Sequence, residues 1–244
     1  MLYIIGLGLN QRSMTVENLE VLKKCKKIYL EDYTVDFPYN KQELEDNINK
    51  KIKPVNRDFV ESLEFLDESK KLDIALLVYG SPLTATTHIT ILDEAKKSNI
   101  KTKIIHNASI FDAITETGLQ LYKFGKIASM PSWKDKGKSS SFIDLIKQNK
   151  TIDAHSLILI DIGLDFQTAL EQLKQASKEK EFNLNEKDKI VLCQTLGTKK
   201  SKIFYRTIEQ FSNPDNFGNV RKPFCLIIPG KMHFLEKEIL ETFS

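Results

Sequence analysis

The run Ile104-Ile-His-Asn-Ala-Ser-Ile-Phe-Asp-Ala-Ile-Thr-Glu-Thr-Gly-Leu-Gln-Leu-Tyr-Lys-Phe-Gly125 passes from strand to helix within a few residues. Ile104 and Ile105 end a short apolar strand, and His106-Asn107-Ala108-Ser109 reads as a loop. Ile110, Ala113, Ile114 and Leu121 then carry helical spacing, which predicts a helix over 109–121. A small polar residue at such a junction caps the helix, and the junction leaves backbone N–H groups free for a ligand. The same alternation extends outward in both directions. Short β-rich runs at 2–7, 27–30, 74–79, 103–105, 157–162, 190–192 and 224–228 alternate with helical patterns. The latter lie near 15–25, 57–70, 86–98, 140–149, 166–180, 200–211 and 234–243. This order predicts an α/β architecture with largely parallel sheet. The first helix has an N-cap in Thr15, with Val16, Leu19, Leu22 and Cys25 on its buried face.

A chain of 244 residues holds two modest α/β domains or one large one. Its 41% hydrophobic and 28% charged residues exclude wholesale disorder. Cys25, Cys193 and Cys225 match neither a disulfide framework nor a zinc pattern, so they read as reduced core thiols and no metal is expected. The N-terminal run 1–9 lacks a basic start and is broken by Gly6 and Gly8, unlike a signal peptide. No stretch approaches the ~20 apolar residues of a membrane span, so a cytoplasmic protein without a membrane partner is expected. The net charge of +3 hides basic runs at 23–27, 50–53 and 199–202. With few aromatics interleaved, these read as solvated faces, and no direct nucleic-acid contact is required. The polar stretches 131–141 and 178–189 read as connections. Placing the inter-domain connection near the helix at 109–121 gives domains of 1–110 and 111–244.

Three segments carry chemistry. Gly6-Leu-Gly8 directly follows the first strand, with Glu31-Asp32 about two dozen residues later, the start of a dinucleotide fingerprint. The third glycine is missing, which leaves a tight turn or a cofactor pocket of another kind. Tyr79-Gly80-Ser81-Pro82-Leu83-Thr84-Ala85-Thr86-Thr87-His88 makes a sharp turn whose hydroxyls serve either as helix caps or as ligand donors. Ser109 and Ile110 open the helix after the loop. His106 beside them reads as a hydrogen-bonding scaffold, and Tyr122-Lys123 as an amphipathic helix end.

The wording His106-Asn-Ala-Ser-Ile110 and Gln120-Leu-Tyr-Lys-Phe-Gly125 resembles the diphthine synthases, S-adenosylmethionine-dependent methyltransferases of the tetrapyrrole-methylase type. The resemblance extends to Gly6-Leu-Gly-Leu9, to Glu31-Asp-Tyr-Thr34, to the strand at 157–162 and to 226–236. It departs at three places: Ser81 stands where the family carries Asp, Gln194-Thr195 where it has Ala-Arg, and Phe224 where it has His. The resemblance implies two α/β domains with a cofactor cleft between them, usually in a homodimer. It implies transfer of methyl groups to the aminocarboxypropyl-modified histidine of translation elongation factor 2 in diphthamide biosynthesis, leaving S-adenosylhomocysteine. The donor-contacting positions it implies are Leu9, Ser81, Thr84, Ser109, Ile110, Ile160, Leu196 and Phe224. No catalytic residue is implied; Asp161, Gln194 and His233 are candidates for the acceptor side. A charged hydrogen bond is worth about 1.5–3 kcal/mol against about 0.5–1.5 for a neutral one. Ser81 in place of Asp is therefore expected to weaken donor binding by about tenfold. Two other readings are a methylase acting on a small heterocycle and a non-catalytic descendant that binds elongation factor 2.

Overall fold

The computed structural model describes the chain except residues 86, 87, 214, 216 and 217 and the side chains of 135 and 136. The chain divides into two compact units, Met1–Asp112 and Ala113–Ser244.

In the first unit, β1 (Leu2–Gly6), β2 (Lys27–Glu31), β3 (Lys53–Val55), β4 (Ile74–Val78) and β5 (Thr102–Ile105) form a sheet of order β3-β2-β4-β1-β5. Every pairing is parallel. The runs of β1 and β4 are buried at each residue, as a sheet covered on both faces requires. One face packs Leu7, Leu22, Leu44 and Leu77 beneath α1 (Val16–Lys24) and α2 (Lys41–Ile48). The other packs Ile4, Phe65, Leu76 and Ala95, with α3 (Arg57–Ser62), α4 (Phe65–Ser69) and α5 (Ile89–Lys97). Because all five strands run one way, the ends of β1, β2, β4 and β5 share one edge.

Local corrections have local causes. The helix expected over 57–70 breaks at Leu63, which sits in the left-handed region at φ 60°. Thr15 caps α1, its side chain accepting from the Asn18 amide. Val16, expected inside, is 73% exposed, and Asn18 takes the buried position because its amide donates to the Gly6 carbonyl at 2.7 Å.

The second unit holds β6 (Ala128–Met130), β7 (Ser156–Ile160), β8 (Lys189–Gln194), β9 (Lys202–Thr207) and β10 (Phe224–Ile228), ordered β6-β7-β10-β8-β9. Only β6–β7 is parallel; β10 inserts antiparallel between β7 and β8, and β8–β9 is an antiparallel pair. The expectation of largely parallel sheet therefore fails here. It fails at 200–211 too, where the expected helix is β9 followed by one turn, α10 (Ile208–Phe211). Aromatic and β-branched residues in Lys-Ile-Phe-Tyr-Arg-Thr suit a pleated surface better than a helix. The core lies under α8 (Ser141–Thr151) and α9 (Phe166–Glu179), and includes Phe142, Ile146, Leu170 and Leu173. The segment expected as one helix is α6 (Ile110–Ala113) and a 3₁₀ turn over Ile114–Thr117, stopped by Gly118 at φ 83°. The connection at 131–141 contains the short helix α7 (Trp133–Lys136). All three cysteines are free and buried, and Cys193 lies opposite Cys225 in the β8–β10 register. Among the described residues no helix is long and apolar enough to cross a membrane. No cluster of His, Cys, Asp or Glu among them is fit to hold a metal ion.

A buried carboxylate ties the second unit together. Glu236, on α11 (Phe234–Glu241), is 1% exposed. It accepts from the amides of Gln120 at 2.9 Å and His233 at 2.7 Å, from Lys123 Nζ, and meets His155 Nε2 at 3.2 Å. His155 Nδ1 in turn accepts from the Gly230 amide at 2.9 Å. Burial alone would raise Glu236, but the donors from Lys123, Gln120, His233 and His155 outweigh it and hold the carboxyl at about 2. Burial also holds His155 below its ordinary value of 6.5 despite that carboxylate. Both groups thus bind fewer protons folded than unfolded, and stability falls as pH falls: first below about 6.5 through His155, then below about 4.5 toward 2 through Glu236. Urea titrations from pH 7 to pH 3 are expected to show both losses. Glu236→Gln is expected to cost about 3–5 kcal/mol at pH 7 by stranding buried partners, and to abolish the loss below pH 4.5.

Candidate active site

The site in the first unit is made chiefly of backbone. β1 and β4 leave the sheet side by side and meet again at Gly8 and Gly80, which exchange two N–H···O bonds of 3.0 Å. Both glycines sit at positive φ, 70° and 72°. A Cβ on Gly8 would lie 2.4 Å from Ser13 Cβ, and one on Gly6 would lie 2.6 Å from the Gly80 carbonyl oxygen. The exit of β5 is fastened to this pair by Asn107. Its side-chain amide donates to the carbonyls of Gly6 at 3.1 Å and Ser13 at 2.9 Å, while its oxygen accepts from the Ala108 amide at 2.8 Å. A Cβ on Gly80 would come to rest 3.6 Å from Ser109 Cα, so the third exit lies directly alongside. The Tyr79 hydroxyl, its pKa raised by burial and hence a donor, reaches the Leu9 carbonyl at 3.2 Å.

Leu9, Ser81 and Ser109 are thereby brought to one edge, each buried. The Ser109 hydroxyl accepts from the Phe111 amide at 3.2 Å and donates to Asp112 at 2.9 Å, setting the first turn at Ile110. Ser81 has only long contacts, 3.4 Å to His106 Nδ1 and 3.5 Å from the Asn107 amide, so its hydroxyl keeps capacity for a ligand. Thr84 lies in the following turn, where Leu83 and Ala85 are held at φ 65° and 54°. Thr86 and Thr87, also read as ligand donors, lie outside the described residues.

In the second unit, Phe224 pairs with Gln194 and lies one step beyond the Cys225–Leu159 pair, which sets Ile160 next to it. Leu196 follows two residues after Gln194, between Thr195 at φ 46° and Gly197 at φ 75°. Ile160, Phe224 and Leu196 thus share one edge of that sheet. The Phe224 ring is packed in the core against Phe166 at 5.9 Å, which leaves its backbone as the part available for a ligand. The candidates for the acceptor side have structural bonds. Gln194 accepts from the Arg221 amide at 3.0 Å, Asp161 from the Ser132 amide at 3.2 Å, and His233 caps α11. Lys123 belongs to the Glu236 node, and Tyr122 is exposed.

The first-unit edge presents backbone amides and carbonyls with small hydroxyls, beside the His106 ring and the Asp112 carboxylate. Segments 4–11, 79–88 and 104–112 contain no Lys or Arg. A phosphate-bearing ligand calls for such a cation or for a glycine-rich helix start, and α6 is a single turn. Ribose hydroxyls and a heterocycle fit this set; a pyrophosphate does not. Sequence reasoning missed Asn107, Asn18 and Tyr79, whose partners are remote backbone carbonyls that leave no spacing pattern.

Residues 1–212 match the family model of tetrapyrrole (corrin/porphyrin) methylases. The fold and the match together define a methyltransferase. The chain is 38% identical to the diphthine synthase of Methanocaldococcus jannaschii, covering 99% of this chain and 98% of that relative. It is 32% identical to the diphthine methyl ester synthase of Schizosaccharomyces pombe, covering 100% and 94%. A crystal structure of diphthine synthase superposes with a TM-score of 0.88 at 29% identity, covering 100% of this chain and 96% of that one. This chain belongs to the diphthine synthase family.

The close approach at Gly8 gives a direct test. Gly8→Ala combines left-handed strain with the collision at Ser13, whereas Gly163→Ala, at φ 82° and with no described atom within 4 Å of the added Cβ beyond its chain neighbours, adds strain without a collision. Denaturation is expected to show Gly163→Ala costing about 1–2 kcal/mol and Gly8→Ala clearly more.

Proposed function

We propose that this chain transfers methyl groups from S-adenosylmethionine to the amino group of the aminocarboxypropyl-modified histidine of translation elongation factor 2. This is the methylation step of diphthamide biosynthesis, carried out in the cytoplasm by a homodimer without nucleic acid. The observation that carries the reading is the edge without Lys or Arg built on Gly8, Gly80 and Asn107, in a chain whose full-length relatives include a diphthine synthase and a diphthine methyl ester synthase. Leu9, Ser81, Thr84, Ser109 and Ile110 of the first unit, and Ile160, Leu196 and Phe224 of the second, are the proposed donor contacts.

When bound, the donor supplies an intrinsically electrophilic methyl group. The protein's task is then alignment. The Gly8–Gly80 bridge and Asn107 hold the Leu9 carbonyl and the Ser81 and Ser109 hydroxyls as fixed hydrogen-bonding groups, so little reorganisation accompanies binding. The accepting amine must be neutral to attack, and exclusion of water lowers an amine's pKa without a dedicated base. No side chain is assigned as a catalytic acid or base.

The test is mass spectrometry of elongation factor 2 bearing the unmethylated aminocarboxypropyl histidine, after incubation with this protein and S-adenosylmethionine. Stepwise gain of methyl groups on that one peptide is expected, and their number separates amine methylation from added ester formation. Binding of the factor without any gain would identify a non-catalytic binder instead. Ser81→Asp, which supplies a charged acceptor, is expected to tighten S-adenosylhomocysteine binding by about tenfold in calorimetry.

A further inference from the structure

The turn after β4 is strained at Leu83 and Ala85. Leu83 and Ala85 occupy the left-handed region, φ 65° and 54°, which disfavours any residue with a side chain. Such conformations persist only where the surroundings enforce them. At the near end the Gly8–Gly80 bridge supplies the enforcement. At the far end stands His88, 2% exposed, immediately before α5. Its ring makes no capping bond to that helix. Nε2 instead packs against the carboxylate of Glu31, 1% exposed at the end of β2, in close contact off the axis of a linear hydrogen bond. The other oxygen of Glu31 accepts from the Thr34 hydroxyl. Among the described residues His88 Nδ1 has no hydrogen-bond partner. A buried carboxylate is costly unless it does something for the fold, and a capping hydroxyl at position 88 would start α5 at lower cost.

We infer that Glu31 and His88 are positioning residues: their buried contact fixes the far end of the strained turn and so keeps Ser81 and Thr84 in place for the methyl donor. This rests on the donor assignment above, although the clamp itself is a property of the free protein. Two measurements separate them. Hydrogen–deuterium exchange without donor reads the clamp: Glu31→Ala is expected to speed exchange of the amides in residues 81–85 at least tenfold, with the Glu236 region unchanged. Steady-state kinetics read its purpose: KM for S-adenosylmethionine rises at least tenfold, kcat at saturating donor stays within threefold, and Glu31→Gln, which keeps shape and hydrogen bonding, returns KM to within threefold. A second-site variant tests the logic, because Leu83→Gly removes the left-handed penalty. It is expected to recover most of the donor KM lost in Glu31→Ala, which a general packing role for Glu31 would not allow. Should Glu31→Ala fail to fold, His88→Gln is read in the same assays. Unchanged exchange at 81–85 in a folded variant overturns the inference, as does a failure of Leu83→Gly to rescue. Faster exchange in a protein whose wild type neither binds donor nor transfers methyl groups would leave the clamp standing and remove the donor assignment alone.

Discussion

Two strand exits touch backbone to backbone at Gly8 and Gly80, and the rest of the first unit is arranged around that contact. Once β1 and β4 are adjacent and parallel, their chains must diverge into separate helices. The paired N–H···O bonds delay that divergence by two residues past β1. The approach leaves no room for a side chain at Gly6 or Gly8. It also leaves the Gly6 carbonyl facing inward, away from water, where it accepts from both Asn18 and Asn107. A buried carbonyl without a partner would cost about 1–3 kcal/mol. The two asparagines are therefore consequences of the bridge, and Asn107 carries the exit of β5 into register with it.

A site fixed in this way owes its shape to main chain. Ser81, read from the sequence as a departure from the family pattern, adds no strain to that frame. The carbonyl of Leu9 and the start of α6 stay where they are, because Tyr79, Asn107 and the Ser109–Asp112 cap hold them. The substitution changes the strength of one hydrogen bond and leaves the frame alone. Buried charged groups gather at two nodes, Glu31–His88 and Glu236–His155–Lys123. Each joins segments far apart in sequence. Apolar side chains of equal volume can match such nodes in stability, but they do not dictate which atoms meet.

How much of this was legible follows from the range of the interactions. The strands of the first unit stand out because a sheet covered on both faces needs unbroken apolar runs, and 74–78 is one. Thr15 was legible as a cap because its partner is three residues away. The three-residue strands at 53–55 and 128–130 are too short to show a period, and 202–207 was misread because its alternation is blurred by aromatics on both faces. The antiparallel insertion of β10 pairs residues 66–72 apart on its β7 side and 30–36 apart on its β8 side, invisible to any local window. The proposed donor contacts rest on family wording, since the contacts that build their frame are long-range: those of Asn107 with Gly6 and Ser13 span 101 and 94 residues.

The same reasoning explains why a search for a catalytic acid or base finds none. Polar side chains of the second unit are engaged with partners of their own: Lys123 and His155 with Glu236, His233 with the amide of Leu235, Gln194 with the amide of Arg221. Each such bond fixes a turn or a helix end, and breaking it to act on a substrate would unsettle the element it holds. At the first-unit edge the exposed His106 ring stands beside Ser81; the rest is the Ser81 hydroxyl with only long contacts and a ring of backbone groups. Such groups orient a ligand but do not move its protons. A reaction compatible with them must bring its own electrophile and need only alignment, and methyl transfer from a sulfonium to a desolvated amine meets both conditions.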